Sequence, residues 1–306
     1  MVEAANAWIP SQFAGPFFCV MLPDDLPLPD AAILKMGLAP LDASTWILPA
    51  RDASSWLKHK QSVRSRLGER AYAVLPVADA AAEELHRILL EHLLTEHGGR
   101  WQRGDGCLRI PAQGLVLPVS GAGREALWHA SLWVAEDLVL MQADDCGRYR
   151  LTAASLCSPS HWQLEDKLGK TLPEIHAPVP GFARELDARV ARFFGHLKTA
   201  RPVQRYNWGL QRGSGRCQRQ DSPEEGRDLH YRVERQTLLR LPQSRAVVFT
   251  IRVMLAPLAS LAARPGGLGA LFEAIDGCSP ALAQYKGFPD LAADLRPWRE
   301  VWASGH

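Results

Sequence analysis

His176 is the residue whose surroundings most restrict it. It lies in residues 175–180 (IHAPVP), where Pro178 and Pro180 remove two backbone donors and bias the residues before them to extended geometry. That run is not expected to be ordinary helix, and a histidine on so stiff a turn has little freedom to wander. An imidazole there can pin the turn by hydrogen-bonding backbone. A second concentration of polar groups falls late in the chain, in residues 205–208 (RYNW) and 232–240 (RVERQTLLR). Strand alternation across 232–239 puts Arg232, Glu234, Gln236 and Leu238 on one face, and Val233, Arg235, Thr237 and Leu239 on the other. Neither face is purely apolar, which leaves two readings open. Glu234 pairs with an arginine to fix the sheet, or a ligand cavity lies against the sheet, lined by a few fixed polar groups.

Other groups that could do chemistry are dispersed. His86, His92 and His97 fall at intervals of six and five on one predicted helix, which misses the i, i+4 face of a metal pair. They read as surface histidines. The six cysteines contain no C-x-x-C pair, so neither a zinc cluster nor a disulfide framework is indicated. With 35 basic and 33 acidic residues the net charge is +2, which gives no global pull toward nucleic acid or membrane. At 47% hydrophobic and 22% charged, the 306 residues read as globular, with mass for one large or two small domains. The first residues lack the basic n-region and apolar core of a signal peptide, and no run approaches the roughly 20 apolar residues of a spanning helix. A cytoplasmic protein is the expectation, with no nucleic-acid or membrane partner.

The elements that must position these residues follow from periodicity. Residues 1–60 are Pro-rich and irregular, with Trp8, Phe13, Phe17, Phe18 and Trp46 as apolar anchors. Leu85, Ile88, Leu89 and Leu93 at helical spacing predict a helix over 78–98. Two short strands around Gly114 and a helix over 124–136 come next. Residues 138–142 and 149–157 are expected to pair as a hairpin across the turn at 144–147. A short helix over 161–167, capped by Ser160 and ended by Gly169, precedes the His176 turn, and one amphipathic helix over 181–198 follows it. Three strands at 203–210, 229–241 and 246–255 complete the pattern, with helices at 268–276 and 290–303. Two strands, a helical middle and three strands make an α+β order, suited to an antiparallel sheet with helices crossing one face.

Five separated segments carry a resemblance. TAASLCSPSHW, KLGKTLPEIHAPVPGF, RYNW and RVERQTLLRLP followed by VVFTIRVM resemble, in order, the motifs of the haem-dependent oxidative N-demethylase α-subunit family. WVAEDLVLM and the amphipathic helix extend the likeness over roughly residues 75–260. The resemblance implies a PAS-like antiparallel five-stranded sheet over 76–260 that binds haem b. An irregular arm (1–75) would pack on this core, and a helical extension (261–306) would follow it. It implies activation of dioxygen at the haem to demethylate a small secondary amine such as dimethylamine.

Family complexes also contain flavin mononucleotide, an iron–sulfur cluster and tetrahydrofolate. No cysteine spacing or dinucleotide fingerprint for these occurs here, so a reductase subunit and a folate-binding subunit would carry them. By the same resemblance His176 is the proximal iron ligand, with His161 and His196 as competitors. Arg205 would stabilise iron-bound oxygen, and Glu234 would hold a substrate ammonium. Tyr206 or Trp208 would form an aromatic wall, and Trp208 and Arg235 would contact the cofactor. A non-catalytic haem-PAS sensor would keep His176 and need no electron donor, and a haem-free structural subunit would keep the shape alone.

Overall fold

A computed structural model describes residues 26–31, 35–221 and 226–304. Trp8, Phe13, Phe17 and Phe18 lie outside the described residues. The chain runs β1 (Ala39–Pro40), α1 (Ala53–Leu67), β2 (Tyr72–Val74), α2 (Asp79–Glu96), β3 (Gln102–Gly104), β4 (Cys107–Ile110), β5 (Leu115–Pro118) and α3 (Arg124–Leu132). It continues through β6 (Asp137–Ala143), β7 (Tyr149–Ser155), α4 (Leu172–His176), α5 (Phe182–Glu185), α6 (Asp187–His196), β8 (Val203–Arg212), β9 (Leu229–Arg240) and β10 (Val247–Pro257). Four helices follow: α7 (Leu258–Ala262), α8 (Gly267–Asp276), α9 (Pro280–Tyr285) and α10 (Ala292–Ser304).

The fold is α+β. Its main sheet is antiparallel and has seven strands in the order β1-β8-β9-β10-β6-β7-β2, beside a small β3-β4-β5 sheet. The expected hairpin forms because Asp144 organises the turn: its carboxylate accepts from the Cys146 and Arg148 amides, and Gly147 takes the positive φ that closes it. The two strands beyond the expected five are β1 and β2, one at each edge. Both come from the segment read as an irregular arm, which also contains α1, a 15-residue helix capped by Asp52. The reading missed α1 because its sequence is largely polar. Only Trp56, Lys60 and Val63 of that helix are buried.

The expectation of helices on one face is overturned. On one face Leu138, Leu140, Leu239 and Val248 pack with α2, α3 and the small sheet through Leu85, Leu89, Leu127, Leu108 and Ile110. On the opposite face Val139, Met141, Leu238 and Val247 meet Leu172 and Ile175 of α4 and Phe194 of α6. Residues of both parities on β6, β9 and β10 are apolar, so both faces have apolar surface to bury. The C-terminal helices cover the far ends of β8 and β9, where Trp208, Leu210, Tyr231 and Val233 pack with Leu268, Phe272 and Trp298.

Two local expectations fail near the site. Only a 3₁₀ turn at Leu164–Asp166 stands where a helix over 161–167 was expected, and His161 has φ +55°. The helix over 181–198 is broken at Leu186 into α5 and α6.

Candidate functional site

The site is built on α4 and on one face of β8 and β9. α4 starts with a capping box: the Glu174 carboxylate accepts from the Thr171 amide at 2.7 Å and from its hydroxyl at 2.6 Å, and Pro173 sits in the first turn. His176 is the last residue of this helix, and residues 177–180 continue as turns, with Ala177 still in the right-handed helical region and the Val179 amide donating to the His176 carbonyl; the extended geometry expected there is not found. The bias of a proline toward extended geometry in the residue before it is not expressed at Ala177, although Pro178 follows.

The imidazole is tightly held. Its Nδ1 lies 2.9 Å from the Leu172 carbonyl, so that nitrogen carries the proton and donates, and the ring stacks on Phe182 at 4.3 Å and 7°. Nε2 makes no hydrogen bond among the described residues and is left with a lone pair. Burial depresses the pKa below the ordinary imidazole value, against the raising effect of the Leu172 carbonyl, so the ring is neutral at neutral pH. Around it lies a cavity of about 380 Å³, lined by Pro173, Val179, Phe182, Arg184 and Asp187.

Arg205 and Glu234 join this side. On β8, Arg205 and Asn207 stand opposite Gln236 and Glu234 of β9, and residues in register share a face. The Arg205 charge is felt at His176, at Glu234 and at Lys286. Its Nε is buried without a partner.

Glu234 is fully engaged. Its Oε1 accepts from Arg232 Nε at 3.1 Å, and its Oε2 accepts from Asn207 at 3.3 Å and Gln236 at 3.0 Å. Burial raises its pKa, but Arg232 and these bonds outweigh that and leave it below the usual carboxylate value. The ion-pair reading of Glu234 is therefore realised in the sheet. Lys286, which follows α9, reaches the same face and donates to the Trp208 carbonyl at 2.7 Å and to Asn207 Oδ1 at 3.0 Å. Burial pulls its pKa down to about 8.

The other candidates lie elsewhere. Trp208 stands opposite Val233 and Tyr206 opposite Arg235, so all four lie on the far face. Trp208 stacks on Phe288 at 5.6 Å and donates to the Asp30 carbonyl, and Tyr206 is exposed. Arg235 donates to the Thr45 and Trp46 carbonyls and to Gln204. It ties the N-terminal segment to the sheet. Strand alternation separates both Trp208 and Arg235 from His176, which corrects their expected place in the cofactor pocket. The His196 ring is exposed and bonded to the Arg192 carbonyl, while His161 feels the charge of Arg232. His86, His92 and His97 are part of the packing, against Trp133, Trp46 and Trp101, so the surface reading of these histidines is also corrected. No group of three or more His, Cys, Asp and Glu able to hold a metal occurs among the described residues.

A family model described as haem-dependent oxidative N-demethylase, alpha subunit-like, matches residues 37–295. The chain belongs to this family. The match runs past residues 75–260 in both directions, reaching into the segments read as arm and extension and taking in β1 and Lys286 of this N-demethylase-like chain. Haem is the group the family name calls for, and two features fit it. His176 offers an open Nε2 beside a cavity, and Arg205 has a buried donor without an acceptor. Among the described residues of this family member no helix is long and apolar enough to cross a membrane.

Sequence reasoning missed Lys286, Asn207 and Phe182. The opposition of Asn207 to Glu234 could have been found by pairing the two strands. Nothing in the local sequence marks Lys286.

Proposed function

We propose that this protein is the haem-carrying catalytic subunit of an oxidative N-demethylase acting on a small methylated amine, the class to which dimethylamine belongs. The observation that carries the reading is the His176 ring, fixed through Nδ1 and stacked on Phe182, with Nε2 free to ligate. Haem b, when bound, supplies dioxygen activation. The net reaction turns an N–CH₃ group, dioxygen, two electrons and two protons into N–H, formaldehyde and water. The electrons come from a separate reductase subunit bearing flavin mononucleotide and an iron–sulfur cluster, and a folate-binding subunit is a further partner in this reading.

The chain's own residues orient and exclude. Phe182 and the Leu172 carbonyl hold His176 in one tautomer. Arg205 presents a fixed donor toward developing negative charge. Glu234, locked by Arg232, Asn207 and Gln236, keeps the polar wall rigid. A PAS-like core is supported by β6 and β7 preceding α4–α6, and β8, β9 and β10 following them. The cytoplasm is the compartment we assign.

The test is the absorption spectrum of haem-reconstituted wild type and His176→Ala, followed by amine-dependent oxygen consumption with an electron donor. A stoichiometric Soret band that shifts or disappears in the variant, with turnover in wild type, is expected. An unaltered band in the variant removes His176 as ligand. A band without turnover supports a haem sensor instead, and no band in either protein overturns the haem reading.

A further inference from the structure

Resting on the N-demethylase reading, we propose that the polar cluster on β8, where Arg205 shares a face with Asn207 and Lys286 is bonded to Asn207, binds a carboxylate, so that the methylated amine is an N-methyl amino acid rather than a bare alkylamine. Charge balance on this face is the starting point. Three cations, Arg205, Arg232 and Lys286, gather around one anion, Glu234. Arg232 and Glu234 are each other's partners at 3.1 Å. The remaining donors of Arg232 go to Gln211 and to the carbonyls of Arg216 and Ser158. That pair is closed on itself.

Arg205 and Lys286 are left over. Neither forms an ion pair among the described residues, and Lys286 donates only to an amide oxygen and a carbonyl. Arg205 makes no hydrogen bond to a described residue, although its Nε is buried. Arg205 is half-buried, and leaving its buried Nε without an acceptor is costly; a carboxylate is the group its planar fork fits best.

An ammonium fits this cluster poorly. Both Glu234 oxygens are already taken by Arg232, Asn207 and Gln236, so a substrate cation would have to displace one of them. It would also meet the positive charges of Arg205 and Lys286, which share the single Glu234 carboxylate with Arg232. The mutual repulsion of Arg205 and Lys286 adds to burial in depressing the Lys286 pKa. An anion between them relieves that repulsion. A substrate carrying both a carboxylate and an N-methyl group satisfies these cations at one end and presents its methyl group at the other.

The test compares three ligands on the haem-loaded protein: N,N-dimethylglycine, its amide N,N-dimethylglycinamide, which keeps the basic amine and lacks the carboxylate, and dimethylamine. Soret perturbation gives affinity, and oxygen consumption with an electron donor gives turnover. The expected result is that dimethylglycine binds at least about tenfold more tightly than either other ligand, the scale of one charge-assisted contact. Lys286→Gln abolishes the preference, and Lys286→Arg retains it. Equal affinity for all three ligands, or a preference for dimethylamine, overturns the carboxylate proposal and leaves the N-demethylase reading standing. Loss of haem from Arg205→Gln, with ligand preference unchanged in Lys286→Gln, shows that the carboxylate belongs to the cofactor and overturns the substrate assignment. If wild type takes up no haem, the N-demethylase reading fails. Calorimetric titration of the protein with dimethylglycine and dimethylamine then still decides whether a carboxylate site exists.

Discussion

Arg235 and Glu234 are neighbours in sequence and have opposite surroundings. Glu234 faces Asn207 and the His176 side, whereas Arg235 reaches the Thr45 and Trp46 carbonyls on the other side of the sheet. The Arg235→Ala variant is accordingly expected to lose about 3 kcal/mol of stability, since it strands buried carbonyls. It should leave the haem spectrum unchanged. Urea unfolding and a Soret titration of the same preparation check both halves, and a lost Soret band with intact stability would restore Arg235 to the cofactor pocket. Glu234→Gln is expected to cost stability too, because it leaves the buried Arg232 without its counter-charge. A fall in the urea midpoint by the equivalent of about 3 kcal/mol is the expected reading.

At the scale of elements, α4 is a five-residue helix that could not persist alone. Its cap and its packing with β7, α5 and α6 hold it, with Leu172 and Ile175 in the same apolar cluster as Leu151 and Phe194. Glu174→Ala removes the acceptor for both Thr171 donors. The expected result is a small fall in Tm, as for other helix caps. Because His176 ends the same helix, haem affinity should fall with it, while Glu174→Gln keeps most of both. Thermal unfolding and haem titration of the two variants measure this. Equal haem affinity for Glu174→Ala and wild type would show that α4 is positioned by packing alone.

Across the whole molecule, buried imidazoles dominate the expected pH response. Burial holds His59 near 4, against the raising effect of its bond to the Cys157 carbonyl, and burial also holds His92 near 4. In the unfolded chain both titrate near 6.5, so unfolding takes up two protons between about pH 4 and 6.5. Their contribution is fully present above pH 6.5 and lost as the pH falls. Asp137, pushed up to about 6 by burial, acts oppositely: between its unfolded value of 3.8 and 6 it releases one proton on unfolding. His86, His161 and His176, also lowered by burial, add to the uptake by the imidazoles, so stability is expected to fall as the pH drops from about 6 to 4. Urea midpoints at pH 4.5, 5.5 and 7 test the sign, and a flat or inverted profile excludes this assignment.

Sequence by itself determined what depends on near neighbours in the chain. The apolar spacing of Leu85, Leu89 and Leu93 set α2, the Asp144 turn set the β6–β7 hairpin, and period-two alternation set which residues of β9 share a face. Alternation also held the correction for Trp208 and Arg235, since Arg205 and Trp208 are three apart, and Glu234 and Arg235 one apart. The motifs around His176, Arg205 and Glu234 marked the family because each is a short local run. Tertiary structure alone decided the rest. It set helices against both faces of the sheet, and it brought β1 and β2 to the edges. It also carried Lys286 onto Asn207 from 79 residues away in the chain. No local pattern encodes such a meeting. It arises when the C-terminal helices bury their apolar side against Trp208, Tyr231 and Val233, and the lysine at the end of α9 is carried along.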